Sequence, residues 1–140
     1  MKTVKRETDP DIIDRLKSMF IGDGEFTPDF LADELRARIA VNEESVCIIV
    51  GYDNNEIVGF LVAVEFPNRH YLWLEQAFNE SGYSVMSEHA IHKLMKWAAK
   101  TGKKEMRFET SPECPPDYIT HRIAEHRGFK KHSDIYALRF

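Results

Sequence analysis

The chain has 140 residues, of which 43% are hydrophobic and 30% charged, with 19 basic and 23 acidic side chains and a net charge of −4. That length fits one domain, residues 1–140, burying roughly 68–70% of the surface the unfolded chain exposes. The acidic balance argues against nucleic-acid binding, no apolar run approaches the ~20 residues of a membrane span, and the opening MKTVKRETDP lacks the apolar stretch of a secretory signal, so a soluble, cytoplasmic protein is expected.

The segment TVKRE reads as a first strand. Thr8-Asp9-Pro10 signals a helix start, with Thr8 or Asp9 as cap and Pro10 in the first turn, where its missing N–H costs nothing. Ile12, Ile13, Leu16, Met19 and Phe20 keep helical spacing, and Gly22-Asp23-Gly24 ends that helix. Thr27-Pro28 starts a second helix, with Leu31, Leu35 and Ile39 as its buried stripe. Residues 46–52 read as a strand in which Cys47 is a small buried hydrophobe. Asp53-Asn54-Asn55 is a hairpin turn. Residues 57–66 are nearly all apolar, as expected of a strand covered on both faces. Pro67-Asn68 turns the chain again, and residues 70–78 form the next strand.

A small polar loop, NESGYS, then leads into a helix from about Ser84 to Thr101. Met86, Ala90, Leu94 and Trp97 make its apolar stripe, with Ile91, Met95 and Ala98 beside it and Gly102 as C-cap. Residues 104–109 are a strand. Pro115-Pro116 open a helix to about His126, stopped by Gly128. Residues 129–132 and 135–140 close the chain as a hairpin. The three central strands are joined by tight turns and must be antiparallel. The long helix crosses over to a parallel neighbour. The expected fold is α+β: a mixed sheet with helices on both faces, in the order β-α-α-β-β-β-α-β-α-β-β. A strand that feeds a helix N-terminus through a small polar loop is a place to hold phosphate. A phosphate-bearing cofactor, and so group transfer, is the leading expectation.

This order, with the landmarks NEIVGFLVAV, KWAAKTGKKEMRFET and EHRGFKK, resembles the GNAT-type N-acyltransferase fold over nearly the whole chain. The resemblance implies acetyl-CoA as acyl donor and an amine as acceptor. It implies a wedge between the fourth and fifth strands, with the pantetheine arm along the backbone of Gln76, Ala77, Phe78 and Asn79. The pyrophosphate would then sit on the loop of Ser81, Gly82, Tyr83, Ser84 and Val85. Glu75 matches the family's strand-borne general base in type and place. An ordinary solvent-facing carboxylate is the alternative for it.

Two features depart from the family pattern. The glycine positions of the pyrophosphate loop hold Val85 and Ser87, and the position of the family's acidic Tyr holds Ala124. Tyr118 and Tyr83 match that acid by residue type alone. These departures leave room for a second reading, a GNAT-like domain without acyl transfer that serves as a binding or regulatory module.

Other constellations point less far. His89 and His92 share a helix face with Glu88, but zinc needs three or four ligands in a closed set, and His121 and His126 lie on a different helix. Cys114 stands in a loop beside two prolines. Lys93, Lys96, Lys100, Lys103 and Lys104 suit either a CoA phosphate or a solvated helix face. Trp73 suits either a cleft lining or the core. Residues 1–84 hold 16 acidic and 8 basic side chains, whereas 85–140 hold 7 and 11. That asymmetry suits a cationic acceptor at one half and an anionic donor at the other, as does chance among solvated faces. The ending YALRF can pair across a homodimer or fold back on its own sheet.

Overall fold

Local turn chemistry fixes the centre of the sheet. In the computed structural model, which describes residues 2–22, 26–80, 88–109, 130–132 and 135–140, β2 (Val46–Asp53) and β3 (Glu56–Glu65) are joined by Asn54 and Asn55 at φ 52° and 70°. Two successive left-handed residues twist a two-residue hairpin in the hand that strands prefer, and asparagine tolerates that conformation. β1 (Lys2–Glu7) pairs antiparallel with β2, and β4 (Leu72–Asn79) pairs antiparallel with β3. β5 (Glu105–Glu109) then lies parallel to β4, after the crossover through α3 (Glu88–Thr101). β6 (Lys130–His132) and β7 (Ile135–Arg139) end the chain.

The described residues form a seven-stranded sheet in the order β1-β2-β3-β4-β5-β7-β6. The ending YALRF folds back onto its own sheet, because β7 pairs with β5 on one edge and β6 on the other. The expected helix over 115–126 lies outside the described residues.

Strand alternation divides the core in two. Cys47, Ile49, Leu61, Ala63, Leu72 and Leu74 face α3, where Ala90, Leu94, Trp97 and Ala98 meet them. Ile48, Val50, Phe60, Val62 and Val64 face the opposite side, against α1 (Ile12–Leu16) and α2 (Pro28–Val41). β3 is buried on both faces from Val58 to Val64, which is why its sequence reads as one apolar run rather than an alternation. Each such Val, Leu or Phe side chain contributes about 1.5–3 kcal/mol of burial.

Capping closes the helices. Thr27 accepts from Phe30 N–H at 3.2 Å, with Pro28 in the first turn of α2. Gly102, at φ 76°, ends α3 in the left-handed region that favours glycine. The indole of Trp97 donates to Glu44 O at 2.8 Å, so a fully buried ring keeps its polar atom satisfied.

The first helix differs from its sequence pattern. It starts later than the Thr8-Asp9-Pro10 signal places it: Asp11 is the N-cap, with no side-chain cap bond, and Asp9 accepts from Asp11 N–H at 2.9 Å in the turn that precedes it. The α-helix stops at Leu16, and Lys17–Met19 tighten into a 3-10 turn before Phe20 turns extended. The apolar spacing expected a helix through Phe20. A 3-10 turn presents its side chains at nearly the same spacing, so the pattern does not separate the two.

Candidate active site

The strand β4 is the axis of the site, and it slips register halfway along. Val62 pairs with Gln76 while the next residue of β3, Ala63, pairs with Leu74. Glu75 is therefore the extra residue of a β-bulge, a device that re-aims side chains. Before it, Leu72 and Leu74 point at α3; after it, Ala77 does. Glu75 and Gln76 both turn toward the α1/α2 side, where Gln76 meets Ile21 and Glu75 meets the field of two α2 side chains.

Those two are Glu34 and Arg38, one helical turn apart and paired with each other at 2.9 Å. Burial pushes the carboxyl of Glu75 up from 4.5 to about 7; the negative charge of Glu34 adds to the rise and the guanidinium of Arg38 opposes it. Glu75 is thus partly buried and poised near neutrality. It differs from the solvent-facing strand carboxylate left open by sequence.

Beside this carboxylate the sheet comes apart. β4 stays with β3 as far as Asn79 opposite Gly59, and β5 stays with β7 as far as Glu109 opposite Ile135. Among the described residues, β4 and β5 pair with each other only at Leu72↔Met106 and Trp73↔Arg107. Each strand follows its outer partner, so the parallel seam between them opens beyond Trp73. Gln76, Ala77, Phe78 and Asn79 continue β4 past the last described residue of β5, Glu109.

The other expected residues fall in several places. Ser81, Gly82, Tyr83, Ser84 and Val85 lie outside the described residues, as do Ser87, Cys114, Tyr118, Ala124, His121 and His126. His89 and His92 are exposed on α3. Among the described residues no group of three His, Cys, Asp or Glu side chains is placed to hold a metal ion. Lys103 donates to Arg69 O and, at 3.4 Å, to Phe66 O, tying down the β3–β4 turn. Trp73 is half-buried, with its ring 6.3 Å from that of Tyr71. Cys47 is fully buried, and burial pushes its thiol up to about 12, as befits a packing residue.

Sequence reasoning missed the bulge, the side-chain role of Gln76 and the influence of Glu34 and Arg38. The bulge had a visible signal: two adjacent polar residues, Glu75 and Gln76, interrupt the alternation LWLEQAF. The α2 carboxylate had none, because it reaches Glu75 only through tertiary packing.

A second cluster of charge lies at the opposite end of β5. Glu105, 6% exposed, is held by Arg107 at 3.0 Å, His70 at 3.2 Å and Arg139 at 3.4 Å. Burial pushes its carboxyl up, but the two guanidiniums outweigh this and hold it below the ordinary value. A shallow depression lined by His70, Lys103, Lys104 and Arg139 sits there. It lies away from the open seam and is organised around this ion cluster.

No protein-family model matches the sequence, and no curated protein matches it. Solved structures do match over nearly their full length. A candidate GNAT-family acetyltransferase from Desulfovibrio desulfuricans is 15% identical, covers 99% of both chains and has a TM-score of 0.72. The PaiA N-acetyltransferase of Thermoplasma acidophilum, in complex with coenzyme A, is 12% identical, covers 99% of both chains and has a TM-score of 0.67. An aminoglycoside 6′-acetyltransferase of type Ii is 17% identical, covers 98% of this chain and 96% of its own, and has a TM-score of 0.70. With the bulged fourth strand and the opened parallel seam already described, this chain has the fold of the GNAT-type N-acetyltransferases.

Proposed function

We propose that the protein is an N-acetyltransferase that moves an acetyl group from acetyl-CoA directly to an amine. The observation that carries this reading is the open β4–β5 seam with Glu75 at its side. Acetyl-CoA supplies an acetyl thioester. The backbone of Gln76, Ala77, Phe78 and Asn79 would hold its pantetheine arm as an added strand. A backbone N–H there would stabilise the oxyanion as the carbonyl is attacked. Ser81, Gly82, Tyr83, Ser84 and Val85 would receive the pyrophosphate through N–H and hydroxyl groups.

An amine arrives as its ammonium and must lose a proton before it can attack. A carboxyl at about 7 accepts that proton at neutral pH more readily than one at 4.5 does. Glu75 would take the ammonium proton before attack, and the amine's second proton would leave with coenzyme A, whose sulfur would depart as a thiolate and be protonated. The acceptor is cationic when it binds, and Glu34 and Glu75 favour that charge.

The alternative, a binding or regulatory module without turnover, draws support from the loop GYSVMS, whose only glycine is Gly82. Side chains at 85 and 87 would crowd an approaching phosphate. A thermal-shift titration separates the two. Acetyl-CoA at 100 times its Kd should stabilise the fold by ~2.7 kcal/mol, and no shift at millimolar concentration favours the module. If binding is seen, Glu75→Gln should lower turnover while leaving acetyl-CoA affinity intact. Unchanged rates would remove Glu75 from the reaction.

A further inference from the structure

Gln76 is a polar side chain sealed into the sheet face that the proposed reaction uses, 7% exposed. A buried amide must satisfy both its ends or destabilise the fold. Here both ends meet one residue. Oε1 accepts from Ile21 N–H at 2.9 Å, and Nε2 donates to Ile21 O at 2.9 Å. Two bonds to one peptide segment fix its orientation as well as its distance.

Ile21 lies in neither helix nor strand; it follows Phe20, where the chain leaves the first helical turn extended. One residue later the chain folds close on itself. A Cβ on Gly22 would come 2.8 Å from Phe26 O and 3.1 Å from the ring of Pro28. Residues 20–22 thus have two fixed points, Gln76 at Ile21 and the close approach at Gly22. The bulge supplies the first of these, since without it Gln76 and Glu75 would face opposite sides of the sheet.

We propose that Gln76 is a positioning residue: its side chain latches residues 20–22 across the bulge, and this latched stretch is the wall that keeps water from Glu75. The importance of this wall for catalysis rests on the acetyltransferase reading; the latch itself does not. Among the described residues, the charged groups that act on Glu75 are Glu34 and Arg38, and both belong to α2. Opening this stretch would change the hydration of Glu75 more than its charged surroundings.

The test uses the full chain without cofactor, with two readouts: hydrogen exchange at the Ile21 amide, and the carboxyl carbon signal of Glu75 followed by NMR across pH. Gln76→Met keeps the side-chain length and removes both bonds. Gly22→Ala forces this stretch to shift and leaves Gln76 in place. Both variants should speed exchange at Ile21, about tenfold for Gln76→Met. Both should also move the Glu75 midpoint down from about 7 toward 4.5.

An unchanged Glu75 midpoint overturns the proposal even where Ile21 exchange rises, since the bonds would then be purely structural. Unchanged Ile21 exchange overturns it as well. If Gln76→Met does not fold, Gly22→Ala decides by the same readouts. Calorimetry with acetyl-CoA, run on the wild type in parallel, reports separately on the acetyltransferase reading.

Discussion

Glu75→Gln should make the protein more stable, and only at neutral and alkaline pH. The carboxyl titrates at about 7 in the folded chain against an ordinary value of 4.5. Between those values the folded state holds a proton that the unfolded chain has released. Wild-type stability therefore falls as pH rises from 4.5 to about 7 and levels off above. At ~1.4 kcal/mol for each pH unit between the two values, the loss has a ceiling of ~3.5 kcal/mol, which relaxation and water entry reduce.

Glutamine has nearly the same shape and no charge, so the variant escapes this loss. Near pH 4 the two proteins should be equally stable. At pH 8 the variant should be ahead by about 1.5–3 kcal/mol, or roughly 5–10 °C in Tm for a chain of this size. Urea unfolding at a series of pH values measures this directly. A gap that is the same at pH 4 and pH 8, or a variant that is weaker at pH 8, would refute the reasoning. Either result would mean that Glu75 is ionised and well solvated in the folded protein.

Three further outcomes test the surrounding account. Trp97→Phe should cost about 1–3 kcal/mol in urea unfolding, because it removes the indole donor to Glu44 O and leaves a gap where the larger ring was buried. Iodoacetamide at pH 8 should label Cys47 only after unfolding, since burial holds its thiol up at about 12; peptide mass spectrometry of the native protein would show rapid labelling if that burial were absent. Asn55→Gly should stabilise the β2–β3 hairpin by a few tenths of a kcal/mol, about the cost of a left-handed asparagine at φ 70°, and a lower Tm would contradict the turn geometry.

Much of this fold is legible in the residues because local and tertiary preferences agree. Asn54-Asn55 specify a hairpin turn, the run over 57–66 specifies a strand buried on both faces, and Ala90, Leu94, Trp97 and Gly102 specify a helix and its end. The edges are less legible. Met19 and Phe20 continue a helical spacing that the chain follows only as a 3-10 turn.

The site divides in the same way. Glu75 stands out as a carboxylate in an apolar strand, and its position beside an opening follows from strand order. Its proton affinity does not, because that depends on burial and on Glu34 from a helix more than thirty residues earlier. Gln76 illustrates the limit most clearly. Its backbone was the expected contact, yet its side chain bonds to Ile21, 55 positions away.

The central claim is that the parting of β4 from β5 is a cofactor cleft. Amide NMR of the wild type during an acetyl-CoA titration tests it most directly. The account predicts saturable shifts at Gln76, Ala77, Phe78 and Asn79, with the amides around Lys104 and Arg139 unmoved. No binding at millimolar acetyl-CoA, or shifts confined to the Glu105 ion cluster, would contradict it.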